Sequence, residues 1–372
     1  MIIKRIAVLF GGRSGEHEVS LVSAQSVMNA LDPAKFDVIP VGIDKRGRWW
    51  TGDGALELLR SGAGDCTPCT LPPEPGRGLL LFDEAGAHQL QIDAIFPVLH
   101  GTYGEDGCMQ GLFELAGIPY VGAGVAGSAV AMDKVLQKRL HRESGLPVAE
   151  FLSFPSSLVL DSAEDIAPGV IEALGLPVFV KPPNLGSSVG ISKATTEQEL
   201  VAGMRLAAEF DTTVLVEHAV QDAREIEVAV LGNEQPIASV AGEIVPGNEF
   251  YDYDAKYVDG NSQLHIPAEM DTAFGAQLRD MAVRAFTALS LEGMARVDFL
   301  LSRSTGELIV NEVNTIPGFT SISMYPKLFE ASGVPYPELL EQLIDLAIER
   351  HARISRLRRE YTPKTDWHNA NV

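Results

Sequence analysis

The order of apolar and polar positions divides the chain into readable units. Residues 5–10 form a continuous apolar run that meets Gly11-Gly12, and residues 20–31 then carry apolar side chains at helical spacing. Strand, glycine turn and helix in that order predict the first unit of a doubly wound α/β domain, because a strand buried on both faces reads as an unbroken apolar run. Residues 92–99 are a second such strand, ending at His100-Gly101. Ligands gather at the carboxyl ends of strands in open α/β sheets. The Gly/Pro-rich stretch 61–78 reads as a surface loop.

Farther along, the spacing predicts a helix over 131–144 with Gly145 as its stop. Short strands are expected at 176–181, 214–220 and 225–232. Residues 245–267 are polar, aromatic and glycine-containing, too long for an ordinary turn and suited to a lid. Residues 296–301 and 307–313 flank Ser302-Arg-Ser-Thr-Gly306, a hairpin signal, and 339–350 is a terminal amphipathic helix. No internal repeat is seen.

Composition narrows the class. The 372 residues correspond to two or three domains at roughly 100–200 residues each, and 46% hydrophobic residues suffice for ordinary cores. The opening apolar run is short, ends at two glycines and is followed by no small-residue cleavage site. No stretch approaches the roughly 20 apolar residues of a membrane span. The expectation is a soluble, cytoplasmic protein. The net charge of −21 opposes nucleic acid and anionic membranes at long range. An anionic ligand would therefore need a local cluster of cations. The Arg-rich tail (Arg350, Arg353, Arg356, Arg358, Arg359) reads as the exposed face of a last helix. Cys66 and Cys69 form a C-x-x-C with no second pair to complete a zinc site, so they read as loop thiols.

The hairpin carries the most chemistry. Side chains alternate faces along a strand, so Arg296 and Asp298 share a face of theirs, and Glu312 and Asn314 likewise share a face. If the register sets Asp298 opposite Glu312, then Arg296 faces Asn314. Directly opposed Cβ atoms lie about 4.5–5.5 Å apart. Two carboxylates that close repel unless a cation intervenes, and a few oxygen ligands suit Mg²⁺ or Mn²⁺ with sites left for phosphate oxygens and water. A salt network of Arg, Asp and Glu on an exposed face is the alternative.

Lys181-Pro-Pro-Asn-Leu-Gly-Ser-Ser-Val-Gly190 is a second element. Its glycines admit close backbone approach to phosphate, its serines add donors and its lysine adds charge, with Lys134 also available. It lacks the Walker spacing, which argues against a P-loop NTPase. Glu217 could accept from a nucleotide's ribose or adenine amine, but taken alone it reads as a partly exposed strand residue. Glu16 could bind an ammonium group or simply stabilise a helix N-terminus.

Together these residues resemble the D-alanine–D-alanine ligase family of the ATP-grasp superfamily. The resemblance lies in Gly11-Gly-Arg-Ser-Gly-Glu-His-Glu-Val-Ser20, in His100-Gly-Thr-Tyr-Gly-Glu-Asp-Gly-Cys-Met-Gln-Gly111 and in the Gly-Ser-Ser-Val-Gly loop. It continues in Ala255-Lys-Tyr257, Gly293-Met-Ala-Arg-Val-Asp-Phe-Leu300 and Val310-Asn-Glu-Val-Asn-Thr-Ile-Pro-Gly318. It spans about residues 4–346 and says nothing of 61–78 or of the tail.

The resemblance implies an α/β and α+β chain: an ATP-grasp fold preceded by an N-terminal doubly wound α/β domain. The units expected are 1–125, a central subdomain 126–221, a C-terminal subdomain 222–350 with lid 245–267, and a tail 351–372. It implies ATP and two Mg²⁺ (or Mn²⁺) as cofactors, the metals on Asp298, Glu312 and Asn314. Lys134, Lys181, Ser188 and Lys256 would serve the phosphates, and Glu217, Ala219, Val220 and Glu225 the adenine and ribose. Glu16 and His100 would hold the first D-alanine, and Ser323 and Met324 the carboxylate of the second. Arg296 and the Gly318 N–H would form the oxyanion site, while Ser187 and Tyr257 link the lid to Glu16. The implied partners are D-alanine and ATP, with no nucleic acid and no membrane, in a homodimer. The implied chemistry is ligation of two D-alanines through an acyl phosphate, for peptidoglycan synthesis. The competing readings are a ligase of this fold using D-lactate or D-serine, a Rossmann oxidoreductase, and a non-catalytic nucleotide-binding regulator. The glycine region lacks the G-x-G-x-x-G spacing the second of these needs.

Overall fold

The computed structural model describes residues 3–245, 263–320 and 322–361. Three sheets organise them. The first contains β1 (Lys4–Gly11), β2 (Phe36–Ile43), β3 (Trp49–Thr51), β4 (Thr67–Thr70), β5 (Leu79–Asp83), β6 (Gly86–Leu90) and β7 (Ala94–Pro97), in the order β6-β5-β4-β3-β2-β1-β7. β1 runs parallel to both β2 and β7, which is why its central residues are wholly buried. The helix His17–Ala30 follows the glycine turn as expected and buries Val19, Leu21, Ala24 and Val27.

The 61–78 stretch departs from the expected surface loop. Four of its residues form β4, paired antiparallel with β3 and β5, and Cys69 is buried there. Burial pushes the Cys69 thiol up to about 12. The glycines and Pro68 hid this strand, because proline within so short a run removes a ladder donor and the local signal reads as loop. Pairing to two neighbours outweighs that signal.

The second sheet, ordered β10-β9-β11-β8, comprises β8 (Phe151–Pro155), β9 (Val178–Lys181), β10 (Ser192–Ala194) and β11 (Thr213–His218). The helices Ser156–Leu174 and Glu197–Ala208 share its apolar core, with Val159, Ala163, Leu200 and Met204 against Val178, Val180, Val214 and Val216. Thr196 and Glu199 form a reciprocal cap at the start of the second helix.

The third sheet comprises β12 (Ala223–Gly232), β13 (Ile237–Val245), β14 (Gln263–His265), β15 (Gly293–Ser302) and β16 (Leu308–Asn314), in the order β14-β13-β12-β15-β16. One face carries Val228, Val230, Val297 and Phe299 against the helix Thr272–Ala288. Ala229, Leu231 and Met294 lie on the other face, in a core shared with the first sheet and the helix Tyr336–Ser355. Along this second face the residues change from apolar (Leu231, Ala229, Met294) to charged (Glu227, Arg296, Asp298), and that change marks where the core ends and the cavity begins. Of the expected lid, residues 246–262 lie outside the described residues, while its end, 263–265, pairs with β13 as β14.

Two further expectations are corrected. The predicted helix over 131–144 is two helices, Val125–Met132 and Lys134–Glu143, separated at Asp133. The Asp133 carboxylate accepts from the N–H groups of Val135 and Leu136, so it starts a new helix where periodicity alone runs on. The tail arginines do not form one exposed face. Arg350 is buried, donates to the carbonyls of Tyr120 and Gly122, and stacks 4.2 Å over the Tyr120 ring. Arg353 bridges Glu234 and Glu292. The helix runs past Arg350 to Ser355, which brings these side chains against the body of the protein.

Candidate active site

β15 and β16 pair in the register considered from sequence: Asp298 faces Glu312 and Arg296 faces Asn314. A bulge follows, so that Phe299 faces Val310 and Asn311 has no partner in the ladder. The extra residue lets Val310 and Val313, three apart, both enter the core while Glu312 and Asn314 stay on the charged face. The Arg296 guanidinium makes a two-point contact with Asp298, at 2.7 and 2.6 Å. Asn314 Nδ2 donates to Asp298 at 3.0 Å, and Lys134 Nζ lies 3.4 Å from Glu312. Burial works against the Arg296 charge, yet Asp298 and Glu227 outweigh it and raise its pKa well above the ordinary value.

Glu16 stands across the same cavity, which has a volume of about 430 Å³. Ser187 Oγ donates to Glu16 Oε1. Gly101 and Gly186 permit this approach, since a Cβ on either would come within 2.7 or 2.8 Å of the Glu16 carboxylate. Ser187 and Ser188 both have positive φ, 50° and 59°, a conformation that side chains resist and that points successive N–H groups one way, as anion-binding loops do. Lys134 Nζ donates to the Leu185 carbonyl at 2.8 Å, tying the helix Lys134–Glu143 to this loop.

His100 is buried between Ser23 Oγ on Nε2 and the Ile316 carbonyl on Nδ1, both at 3.0 Å. The carbonyl requires Nδ1 to carry the proton, and burial lowers the imidazole's pKa, so the ring is neutral. Glu105 accepts from the N–H groups of Gly101 and Ile316, at 2.7 and 3.3 Å. Burial and the nearby Glu16 push its carboxyl up to about 8. The side chain of Ser323, at the head of the helix Met324–Ala331, bonds Thr320 at its N–H and its hydroxyl. Gly318 leaves room for it, because a Cβ there would sit 2.6 Å from Ser323 Oγ. The helix N-terminus favours an anion at this place.

The cavity thus brings together Glu16, His100, Lys134, Ser187, Ser188, Arg296, Glu312, Asn314, Gly318, Ser323 and Met324. Asp298 lies beneath the lining, covered by Arg296, while Lys181, Glu217, Ala219, Val220 and Glu225 lie outside it, near the second sheet's strand ends and on β12. Lys256 and Tyr257 lie outside the described residues. Glu217 is not the partly exposed strand residue that its surroundings in sequence suggested. It is buried, with Lys138 Nζ 2.8 Å from one oxygen and Lys181 Nζ on the other. Burial opposes its charge, but the two lysines hold its pKa down to about 2.

Three residues escaped the sequence reading. Glu105 lies inside the quoted His100 motif, where its acidity was the available signal. Lys138 shares a helix with Lys134, one turn on. Glu227 lies 3.0 Å from Arg296 and is marked in sequence only as a carboxylate between the apolar Ile226 and Val228. The residues that could hold a divalent cation are Asp298, Glu312 and Asn314, an oxygen-only set of two carboxylates and an amide that fits Mg²⁺ or Mn²⁺ completed by phosphate and water. No group of three or more His, Cys, Asp or Glu arranged to hold a metal ion by themselves is found among the described residues.

Two family models match the chain: D-ala D-ala ligase N-terminus over residues 5–123 and D-ala D-ala ligase C-terminus over 140–345. The D-alanine–D-alanine ligase of Heliobacterium modesticaldum is 49% identical over 366 residues, covering 98% of this chain and 100% of that protein. That of Thermoanaerobacter sp. strain X514 is 52% identical, covering 94% and 97%. Among solved structures, the D-alanine–D-alanine ligase from Coxiella burnetii superposes with a TM-score of 0.82 at 37% identity, covering 95% of this chain and 97% of that one. The VanG D-Ala:D-Ser ligase from Enterococcus faecalis gives 0.82 at 37% identity, covering 93% and 100%.

Proposed function

Because the chain belongs to the D-alanine–D-alanine ligase family, with its ATP-grasp fold and N-terminal α/β domain, we propose roles for its individual residues in that reaction. The reaction is the ATP-dependent joining of two D-alanines into D-alanyl-D-alanine for peptidoglycan synthesis. A carboxylate is a poor electrophile, so the first D-alanine is activated by attack of its carboxylate on the γ-phosphate of ATP, which breaks the bond to the β-phosphate oxygen and gives an acyl phosphate and ADP. Lys134 and Lys181, with Ser188 and Lys256, bind and orient the phosphates, and Glu217, Ala219, Val220 and Glu225 surround adenine and ribose. Asp298, Glu312 and Asn314 are the residues to hold two Mg²⁺ or Mn²⁺, which supply neutralisation of charge during phosphoryl transfer.

Glu16 takes the ammonium of the first D-alanine, with Ser187 and Tyr257 holding Glu16 in place and His100 beside it. Ser323 and Met324, at a helix N-terminus, take the carboxylate of the second. Its amine, once it has lost a proton, attacks the acyl carbon, Arg296 with the Gly318 N–H donates to the oxyanion, and inorganic phosphate leaves as the peptide bond forms; the donors are worth about 3–4 kcal/mol each in comparable sites. An acyl phosphate hydrolyses readily, so the 245–267 segment serves to exclude water. The chain divides at 126, 222 and 351, forms a homodimer and works in the cytoplasm. No helix among the described residues is long and apolar enough to cross a membrane.

The observation that carries these roles is that one cavity joins Glu16 to Arg296, Glu312 and Asn314. ADP release measured with and without D-alanine, with identification of the dipeptide, tests the reaction. ADP formation independent of D-alanine would overturn it. D-Serine and D-lactate assayed in parallel define the second substrate, a choice raised by the 37% identity to a D-Ala:D-Ser ligase.

A further inference from the structure

The third sheet sets three carboxylates in one row. Glu227 on β12 faces Asp298 on β15, and Asp298 faces Glu312 on β16. The next row is Ala229, Arg296 and Asn314. Opposed Cβ atoms in such a row lie about 4.5–5.5 Å apart, so the acids repel one another unless cations lie among them. Arg296 is one such cation: its guanidinium grips Asp298 at two points and reaches Glu227 Oε2 at 3.0 Å. Glu227 is the more deeply buried of the two acids, with 7% of its side chain exposed against 14% for Asp298. A buried carboxylate is costly unless paired. The small Ala229 beside it leaves the guanidinium room to span both acids.

We propose that Glu227 is a positioning residue that keeps Arg296 aimed into the cavity when Asp298 is drawn to a divalent cation. A divalent cation and the guanidinium compete for the two oxygens of Asp298. With two carboxylates in reach, Arg296 transfers its weight to Glu227 and stays in the row facing Asn314. Without Glu227, the guanidinium competes with the metal for Asp298. The inference rests on the reading of Asp298 as a metal ligand and Arg296 as the oxyanion donor. Glu227 is not itself placed as a ligand, since no three acidic side chains converge on one point among the described residues.

Four full-length proteins test this: the unaltered chain, Glu227→Gln, Arg296→Ala and the double variant. Mn²⁺ binding is read by electron paramagnetic resonance in the presence of ADP, alongside kcat, KM for D-alanine and Tm. Glu227→Gln is expected to weaken Mn²⁺ binding about tenfold and to lower kcat by about 10–100-fold, as loss of a group orienting a metal site does. In the Arg296→Ala background the same change is expected to add little, because the residue through which Glu227 acts is gone. Equal loss of Mn²⁺ binding in both backgrounds would make Glu227 a ligand and overturn the proposal, as would unchanged Mn²⁺ affinity and kcat in Glu227→Gln. Asp298→Asn separates the underlying reading: if it binds Mn²⁺ normally, the metal assignment itself fails, whatever Glu227 does.

Discussion

Lys138 Nζ lies 2.8 Å from Glu217 Oε2, with both side chains almost wholly buried, and Lys181 holds the other oxygen of the same carboxylate. One acid thus faces two buried lysines: burial lowers the pKa of Lys138 against the pull of Glu217, whereas at Lys181 burial is outweighed by Glu217 and the pKa is raised. Lys138→Met leaves Lys181 as the cation that must neutralise Glu217, and so holds Lys181 back from phosphate. ATP affinity measured by calorimetry is expected to fall about tenfold, or ~1.4 kcal/mol, with KM for D-alanine unchanged. Breaking a buried pair ordinarily costs about 3–5 kcal/mol of stability, and less is expected here because Lys181 remains. Unchanged ATP affinity would refute the idea that Lys138 frees Lys181.

Acid stability is expected to fall in two stages. The buried His141 is held neutral, its pKa lowered from 6.5 to about 4 chiefly by burial. An imidazole that binds its proton less readily when folded loses stability as pH falls from 6.5 towards 4. Glu217, held down to about 2 from 4.5, contributes stability that is complete above 4.5 and is lost as pH falls through 2. Tm followed from pH 7 to pH 2 should show both limbs, and His141→Gln should shrink the upper one, which the buried His100 also feeds and which Glu105, its carboxyl raised to about 8, opposes. A single transition unaffected by that change would contradict the assignment.

Glu312→Gln removes one of two directly opposed carboxylates and keeps its shape. ADP formation is expected to vanish while Tm stays level or rises, since the repulsion with Asp298 is relieved. Near-normal turnover at saturating Mg²⁺ would remove Glu312 from the metal site.

Arg350→Met removes the donors that satisfy the Tyr120 and Gly122 carbonyls and the stacking on Tyr120. Unpaired buried acceptors cost about 1–3 kcal/mol each, so a loss of roughly 2–6 kcal/mol in urea unfolding is expected for the two. Arg350 lies away from the cavity, and kcat should hold within about twofold. A variant as stable as the parent would return Arg350 to the exposed role suggested by its neighbours in sequence.

The sequence by itself determined the strand–glycine–helix opening, the β15–β16 hairpin and the side of it that Arg296, Asp298, Glu312 and Asn314 share. These rest on period-two alternation and turn chemistry, which act between near neighbours. Tertiary structure alone decided that residues 67–70 join a sheet despite Pro68 and that Arg350 is buried. It also decided that Lys138, Lys181 and Glu217 meet, and that Glu227 stands beside Arg296. The charge state of a side chain is set by what packs over it and which opposite charge arrives from another element. Both are contacts between residues far apart in the chain, and no local pattern encodes them.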